Sequence, residues 1–194
     1  MTTEHETIQR VLTGDIHAFR QIVETHQDRL YDLAFRMTGN AEDAEDILQD
    51  SFIKIYRALG AYRPAYAFSN WAYSITLNTT KNHIRRKKLK RFFSLDFLCR
   101  ETDDGETAPL PPDTVPDTEN RAEYNIARAE LERQLLRLPE KLRCVFILYH
   151  LHNNSARDIA SQLGLSPNAV NIRLSRARTM LRESMTANTK ENQS

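Results

Sequence analysis

Residues 154–182 concentrate side chains that are suited to reading DNA. The second half of this stretch follows helical spacing and turns amide, hydroxyl and guanidinium groups outward, the groups that hydrogen-bond to base edges in a major groove. These outward residues are Asn168, Asn171, Ile172, Arg173, Ser175, Arg176 and Arg178. The chain contains no recognisable catalytic triad, phosphate-binding loop or paired metal ligands. The chemistry expected here is therefore recognition rather than catalysis.

The pattern around these residues predicts a helix-turn-helix. Ser155 is placed to cap a first short helix, with Asp158 in the capping-box position three residues later. Gly164 can turn the chain with a positive φ, and Ser166-Pro167 supplies a second N-cap followed by a proline at the first helical position. The buried stripe of the second helix is predicted to be Val170, Leu174, Ala177 and Leu181. The alternative is a surface helical hairpin whose basic face is only solvated.

A second candidate site is the basic run between Lys81 and Arg91, which contains seven Lys or Arg and no acid. Cations are favoured at the C-terminal end of a helix, but seven exceed that need. Aromatic residues precede the run along the same predicted helix, residues 70–90. Aromatic faces on which bases stack, beside a basic groove that tracks the backbone, are typical of single-strand binding.

The N-terminal half of that helix has two interpretations. Ser69 is predicted to be its N-cap, and Trp71 and Ile75 share a face suited to a core. The residues that are harder to explain as core are Phe68, Asn78 and Asn82.

The predicted helix Ala41–Leu59 carries an acidic face beside an apolar one, and Asn40 is its predicted N-cap. The predicted core stripe is Leu48, Phe52, Ile55 and Leu59. The other face consists of Glu45, Asp46, Gln49, Asp50 and Ile53. From the residues alone, this face is either solvated surface or a docking face for a basic partner.

Helical periodicity extends over most of the chain, and no strand-like alternation is found. At 194 residues the chain can form one ordinary domain or two small ones. Seven acids, several prolines and no Lys or Arg lie between Glu101 and Glu119, a composition typical of a solvated tether. We therefore predict an all-α fold of two small helical domains, 1–91 and 122–194. A flexible acidic, proline-containing linker over 92–121 joins them, and the second domain contains the helix-turn-helix and a short polar tail.

Several classes of protein are disfavoured by the composition. Cys99 and Cys144 form no CxxC pair and predict neither a disulfide framework nor a zinc site. His150 and His152 lie two residues apart, on different helix faces, and are interpreted as surface residues. The N-terminus lacks an apolar signal core, and no run approaches the length of a membrane span. We expect a cytoplasmic protein with no metal, no cofactor and no segment inserted in the membrane.

Three segments, taken with the helix-turn-helix, resemble the bacterial sigma factors, specifically the small extracytoplasmic-function (ECF) group of the sigma-70 family. DAEDILQDSFIKIYRAL (Asp43–Leu59) is similar to the family's polymerase-docking helix. FSNWAYSITLNTTKNHIRR (Phe68–Arg86) looks like the segment that opens and reads the promoter −10 element. LERQLLRLPEKLRCVFIL (Leu131–Leu148), with the helix-turn-helix, resembles the domain that reads the −35 element. The match covers about 19–91 and 124–182.

The resemblance implies roles for individual residues. The positions that match the docking site for the polymerase β′ coiled coil are Glu45, Asp46, Gln49, Asp50 and Tyr56. The positions that match −10 recognition are Phe68, Trp71, Asn78, Lys81, Asn82, Arg85 and Arg86. The positions that match −35 recognition are Ser166, Asn168, Asn171, Ile172, Arg173, Ser175 and Arg176. The chain departs from the family's usual pattern at Asn171 and Ile172, which leaves its preferred −35 sequence open.

The resemblance also implies the function and the partners. The expected protein binds core RNA polymerase through its β′ and β subunits and directs promoter-specific transcription initiation. It is not an enzyme, because polymerase does the chemistry. Promoter DNA is the second partner, and an anti-sigma factor, often membrane-anchored in this family, is the third.

Two alternatives compete with this interpretation. A stand-alone helix-turn-helix repressor explains residues 154–182 but leaves the basic-aromatic helix and the acidic face unexplained. A small nuclease needs carboxylates clustered in a cleft. The densest acidic set spans several faces of one helix and consists of Asp43, Glu45, Asp46 and Asp50.

Overall fold

The computed structural model describes residues 4–64, 67–95 and 121–191. Within these ranges the chain forms α-helices and one short 3₁₀ helix, with no strand. It divides into two compact units, Met1–Gly105 and Glu106–Ser194. The predicted all-α fold in two helical parts is confirmed. The division falls inside the range predicted as a linker, of which residues 96–120 lie outside the described residues.

In its described residues the N-terminal unit contains four α-helices, with α2 packed against α1, α3 and α4, and α3 packed against α4. Their bounds are α1 Glu4–Leu12, α2 Ile16–Thr38, α3 Ala41–Ala58 and α4 Phe68–Leu95, and the 3₁₀ helix is Leu59–Ala61.

The junction between α2 and α3 is two residues long and is held by backbone geometry. Gly39 ends α2 in the left-handed conformation at φ 74°, and its N–H donates to the Phe35 carbonyl. Asn40 then caps α3, because its side-chain oxygen accepts from the Asp43 N–H at 2.8 Å. The predicted N-cap at Asn40 is confirmed.

The buried stripe of α3 differs from the prediction by about one residue. Ile55 and Leu59 are buried as expected, whereas Leu48 and Phe52 are only half-buried. The fully buried positions that replace them are Ala44, Ile47 and Ser51. Hydropathy underrates the last of these, because the Ser51 hydroxyl donates to the Ile47 carbonyl of its own helix at 2.6 Å. A serine satisfied in this way can be buried at little cost.

Phe68 is a core residue, which corrects its assignment as a base-stacking aromatic. It is the first residue of α4 and only 1% exposed. Its ring centroid lies 5.2 Å from that of His26, 5.3 Å from Tyr62 and 5.5 Å from Trp71. Because its ring is enclosed by aromatic neighbours from three segments, Phe68 cannot present that ring to an unpaired base. Trp71, by contrast, remains half-buried.

The start of α4 also differs from the prediction. The helix begins at Phe68, so Ser69 lies inside it rather than at its N-cap. The Ala67 carbonyl accepts from the Asn70 N–H at 3.1 Å and from the Trp71 N–H at 3.3 Å. The first turn of α4 therefore begins two residues earlier than predicted.

Between residues 121 and 191 the C-terminal unit contains four further helices, and α5, α6 and α7 all pack against the last one. Their bounds are α5 Arg121–Arg137, α6 Glu140–His150, α7 Ala156–Leu163 and α8 Pro167–Glu191. One cluster of its core joins α5 to α8 and consists of Leu135, Leu138, Ala177 and Leu181. On α6 the buried residues are Cys144, Val145, Ile147 and Leu148.

Removing the Phe68 ring should destabilise the N-terminal unit. We expect Phe68→Ala to lower its free energy of unfolding by about 3–5 kcal/mol, the usual cost of deleting a buried phenyl ring. Asn78→Ala, on the exposed side of the same helix, should change it by no more than about 0.5 kcal/mol. Denaturant unfolding followed by the fluorescence of Trp71, the single tryptophan, measures both. An unchanged midpoint for Phe68→Ala would show that the ring is not part of the core.

Candidate nucleic-acid interface

The helix-turn-helix forms as predicted from its caps and its turn. The Ser155 Oγ accepts from the Asp158 N–H at 3.1 Å, and the Asp158 carboxylate accepts from the Ser155 N–H at 3.3 Å. Gly164 turns the chain at φ 62°. The Ser166 Oγ then accepts from the Ala169 N–H at 3.2 Å, which caps α8. These local bonds mark where α7 and α8 begin, and Gly164 marks where α7 ends.

The first turns of α8 present the predicted −35 residues to solvent. The buried stripe is Val170, Leu174, Ala177 and Leu181. The exposed residues are Ser166, Asn168, Asn171, Ile172, Ser175 and Arg176, and Arg173 is half-buried at the edge of the stripe. Ile172 is 46% exposed. A large apolar side chain placed among amides and guanidinium groups is suited to a thymine methyl group.

The spacing predicts that Arg178 faces outward, but its side chain turns back and contacts α6. Its Nε–H and Nη2–H groups both lie 3.1 Å from His150 Nε2. Its guanidinium carbon is 5.6 Å from the centre of the Tyr149 ring. Burial lowers the pKa of the His150 imidazole, and the Arg178 charge lowers it further. The ring is therefore neutral near pH 7 and accepts from Arg178, which can only donate.

An apolar groove of about 400 Å³ lies beside this Arg178 anchor, away from the first turns of α8. Its apolar lining comes from α5, α6 and α8, and two arginines also line it. The lining residues are Leu131, Phe146, Arg178, Leu181, Arg182, Met185 and Thr186.

The acidic face of α3 is exposed over its whole length. The exposed residues are Glu45, Asp46, Gln49, Asp50, Ile53 and Tyr56. Tyr56 is 42% exposed, and its ring packs edge-on against that of Phe19 at 5.0 Å. The face therefore combines carboxylates with two accessible apolar side chains.

The outer side of α4 brings most of the predicted −10 residues into one strip. Its exposed members are Asn78, Asn82, Arg85 and Arg86. Trp71 and Lys81 are half-buried along its edges. The Arg85 Nη2 donates to the Asn82 Oδ1 at 3.3 Å, so an amide and a cation share one orientation. Phe68 is absent from the strip, because it faces the core.

An ion-pair cluster between α3 and α4 was not predicted. The Asp43 carboxylate accepts from His83 Nε2 at 2.9 Å and from Lys87 Nζ at 2.7 Å. Burial alone would raise the pKa of Asp43, but the hydrogen bonds from Lys87 and His83 outweigh it and hold that pKa below its usual value. The sequence signal for this cluster is weak: a first-turn acid on one helix and two basic residues four positions apart on another.

The described residues show neither a metal site nor a membrane span. Among them, no three His, Cys, Asp or Glu side chains come together in a group that could hold a metal ion. Over the same part of the chain, no helix has the length and apolar character needed to cross a bilayer.

Comparison with known proteins identifies the family to which the chain belongs. Residues 22–90 match the family described as Sigma-70 region 2, and residues 128–181 match Sigma-70, region 4. The ECF RNA polymerase sigma factor SigW of Bacillus subtilis is 31% identical over 186 residues, which cover 92% of this chain and 94% of SigW. The RNA polymerase sigma-H factor of Pseudomonas aeruginosa is 30% identical over 186 residues, covering 90% of each chain.

Solved structures agree with these matches. CnrH, in complex with the cytosolic domain of CnrY, superposes with a TM-score of 0.65 at 25% identity and covers 93% of this chain and 96% of that one. RpoE of Bartonella quintana, in complex with the anti-sigma factor NepR, has a TM-score of 0.68 at 19% identity, over 88% and 98% of the two chains. The second likeness concerns the fold alone.

The two matched regions and the helix-turn-helix define a transcription initiation factor rather than an enzyme. The chain belongs to the ECF group of the sigma-70 family. It binds core RNA polymerase and directs promoter-specific transcription initiation. Nothing in these matches favours a stand-alone repressor.

Proposed function

We propose that three outward helix faces divide the work of initiation. The acidic face of α3 docks on polymerase, the outer strip of α4 captures the −10 element, and the first turns of α8 read the −35 element. The observation that carries this proposal is that each polar face is exposed on a helix whose opposite side is buried, over the first half of the helix in the case of α4. These side chains are thus available to partners without loss of packing.

Docking on the β′ coiled coil uses the exposed carboxylates of α3. Asp46 and Asp50 lie four residues apart on one side of the helix, with Gln49 between them. A basic partner helix would be attracted by this pair, and Ile53 and Tyr56 would supply apolar contact area at the end of the same face. Complementary charge of this kind sets orientation and the rate of association.

Reversing one of these charges tests the docking face. We expect Asp50→Arg to weaken binding to core polymerase by at least about tenfold, or about 1.4 kcal/mol, because it places like charges in contact. Transcription should fall in parallel, while the unfolding midpoint should not change. Asp28→Arg, the same reversal at an exposed position of α2, is the matched control. Wild-type affinity of Asp50→Arg for core polymerase would exclude this residue from the interface.

The outer strip of α4 is proposed to act in two stages. Arg85 and Arg86 contact phosphates of the duplex, where binding is not sequence-specific and releases counterions. Asn78 and Asn82 contact bases once the strands separate, and the half-buried Trp71 lies along the edge of the same strip. Contacts with exposed bases form only after the cost of unpairing has been met.

Substitutions in the two halves of the strip should separate these stages. In holoenzyme, Arg85→Ala/Arg86→Ala should weaken the closed complex and flatten its salt dependence by a slope of about 0.9 for each phosphate that is no longer neutralised. Asn78→Ala should leave that complex nearly unchanged and lower the open complex, measured by permanganate reactivity of unpaired thymines. It should also bind less tightly to a promoter premelted by mismatches at −10. If Asn78→Ala binds and opens both templates like wild type, the Asn78 side chain does not capture a base.

The −35 element is proposed to be read by the first turns of α8. The Asn171 amide can pair with an adenine edge, the Arg176 guanidinium with a guanine edge or a phosphate, and the Ile172 side chain with a thymine methyl. Ser166 and Asn168 stand at the helix N-terminus, where backbone N–H groups favour a phosphate. The half-buried Arg173 and the exposed Ser175 complete the surface.

Base reading and phosphate contact on α8 can be distinguished by sequence preference. Asn171→Ala should relax the preference at one −35 position and cost about 1–3 kcal/mol on the preferred sequence. Arg176→Ala should cost a similar amount, either at one base or uniformly if it contacts phosphate. Thr179→Ala, exposed further along the helix, should leave both affinity and ranking unchanged. An identical ranking of −35 sequences for wild type and Asn171→Ala would rule out Asn171 as a reader.

The remaining partners are proposed from family membership. We assign the contact with the polymerase β subunit to the apolar groove beside Arg178 and Arg182, because it is an open apolar surface away from the DNA-reading turns of α8. We also propose a cytoplasmic location, where the family acts on RNA polymerase, and regulation by an anti-sigma factor that is often membrane-anchored in this family.

A further inference from the structure

We propose that Asp43 is a positioning residue for promoter opening, which holds the basic half of α4 on the docking helix α3 and keeps Lys87 away from DNA. This inference rests on the proposed roles of α3 and α4. It concerns a residue outside all three candidate faces.

The geometry of Asp43 supports a positioning role. Its side chain is only 16% exposed and accepts from two α4 side chains, His83 at 2.9 Å and Lys87 at 2.7 Å. These two residues lie one helical turn apart and therefore on one side of α4. Asp43 is itself fixed, because its backbone N–H donates to the Asn40 cap of α3.

Apolar packing does little to hold this part of α4. The first half of the helix is anchored by buried residues that include Phe68, Leu77 and Thr80. From residue 81 to residue 90, by contrast, no side chain is fully buried. The Asp43 cluster joins this second half to α3, while the bond from Lys54 Nζ to Thr79 Oγ1, at 3.0 Å, joins the first half.

The cluster also distinguishes Lys87, which is paired with Asp43, from the cations of α4 that are proposed to contact DNA. Lys87 is 44% exposed at its side chain and could reach a phosphate if it were released. Its ammonium group is paired with Asp43 at 2.7 Å, whereas Arg85 and Arg86 are exposed and neither is bonded to Asp43. Removal of the Asp43 charge should therefore free one cation for non-specific binding and loosen the helix that carries Asn82. Closed-complex binding and opening should then change in opposite directions.

Four variants in holoenzyme test this inference. Asp43→Asn should steepen the salt dependence of closed-complex binding by a slope of up to about 0.9, the value for one additional neutralised phosphate. It should also lower the fraction of open complex. Lys87→Gln alone should keep the wild-type slope, and Asp43→Asn/Lys87→Gln should return to it. Glu42→Gln, which removes the neighbouring exposed carboxylate in the same turn of α3, should change neither readout.

Two results would overturn the inference. One is a flatter slope for Lys87→Gln, which would show that Lys87 already contacts phosphate in the wild type. The other is a wild-type slope and normal opening for Asp43→Asn. If Asp43→Asn does not fold, Lys87→Gln still decides the question. Arg85→Ala/Arg86→Ala in the same assay separates the two proposals, since an unchanged slope there contradicts the proposed basic surface and not the role of Asp43.

Discussion

Burial of one side of each helix is the constraint on which the rest of this structure depends. An α-helix has 3.6 residues per turn, so the side chains that enter the core determine which others face outward. On α8 the stripe from Val170 to Leu181 turns the amides and Arg176 to solvent. On α3 the stripe of Ile47, Ser51 and Ile55 does the same for Asp46 and Asp50. The faces proposed for recognition and the stripes that form the core are therefore specified by complementary positions of the same short segments.

Much of this arrangement could be predicted from the sequence, because it is local. The caps at Asn40, Ser155 and Ser166 and the turn at Gly164 depend on residues within four positions of each other, and all of them form. Phe68 could not be placed in this way. One of the rings that enclose it, that of His26, belongs to α2, which is distant in the sequence, and no local spacing reveals this contact.

The partners of charged side chains were the feature that local sequence patterns predicted least well. Cations clustered along a predicted helix indicate a basic surface, but on both α4 and α8 one of these cations bonds to a side chain of another helix. Lys87 bonds to Asp43 over a separation of 44 residues, and Arg178 bonds to His150 over 28. Some cations of the sequence are therefore engaged by other side chains of the protein, and only the tertiary structure shows which ones.

The lack of fully buried side chains from residue 81 to residue 90 has a consequence for the dynamics of α4. Backbone hydrogen bonds in a helix segment without core packing open more easily than those in its packed half, so amide protons there exchange faster with solvent. Under the proposed role of α4 in −10 recognition, DNA bound to this segment would immobilise it, at an entropy cost that reduces the net gain from binding. That entropy cost would make part of the affinity for promoter DNA depend on temperature.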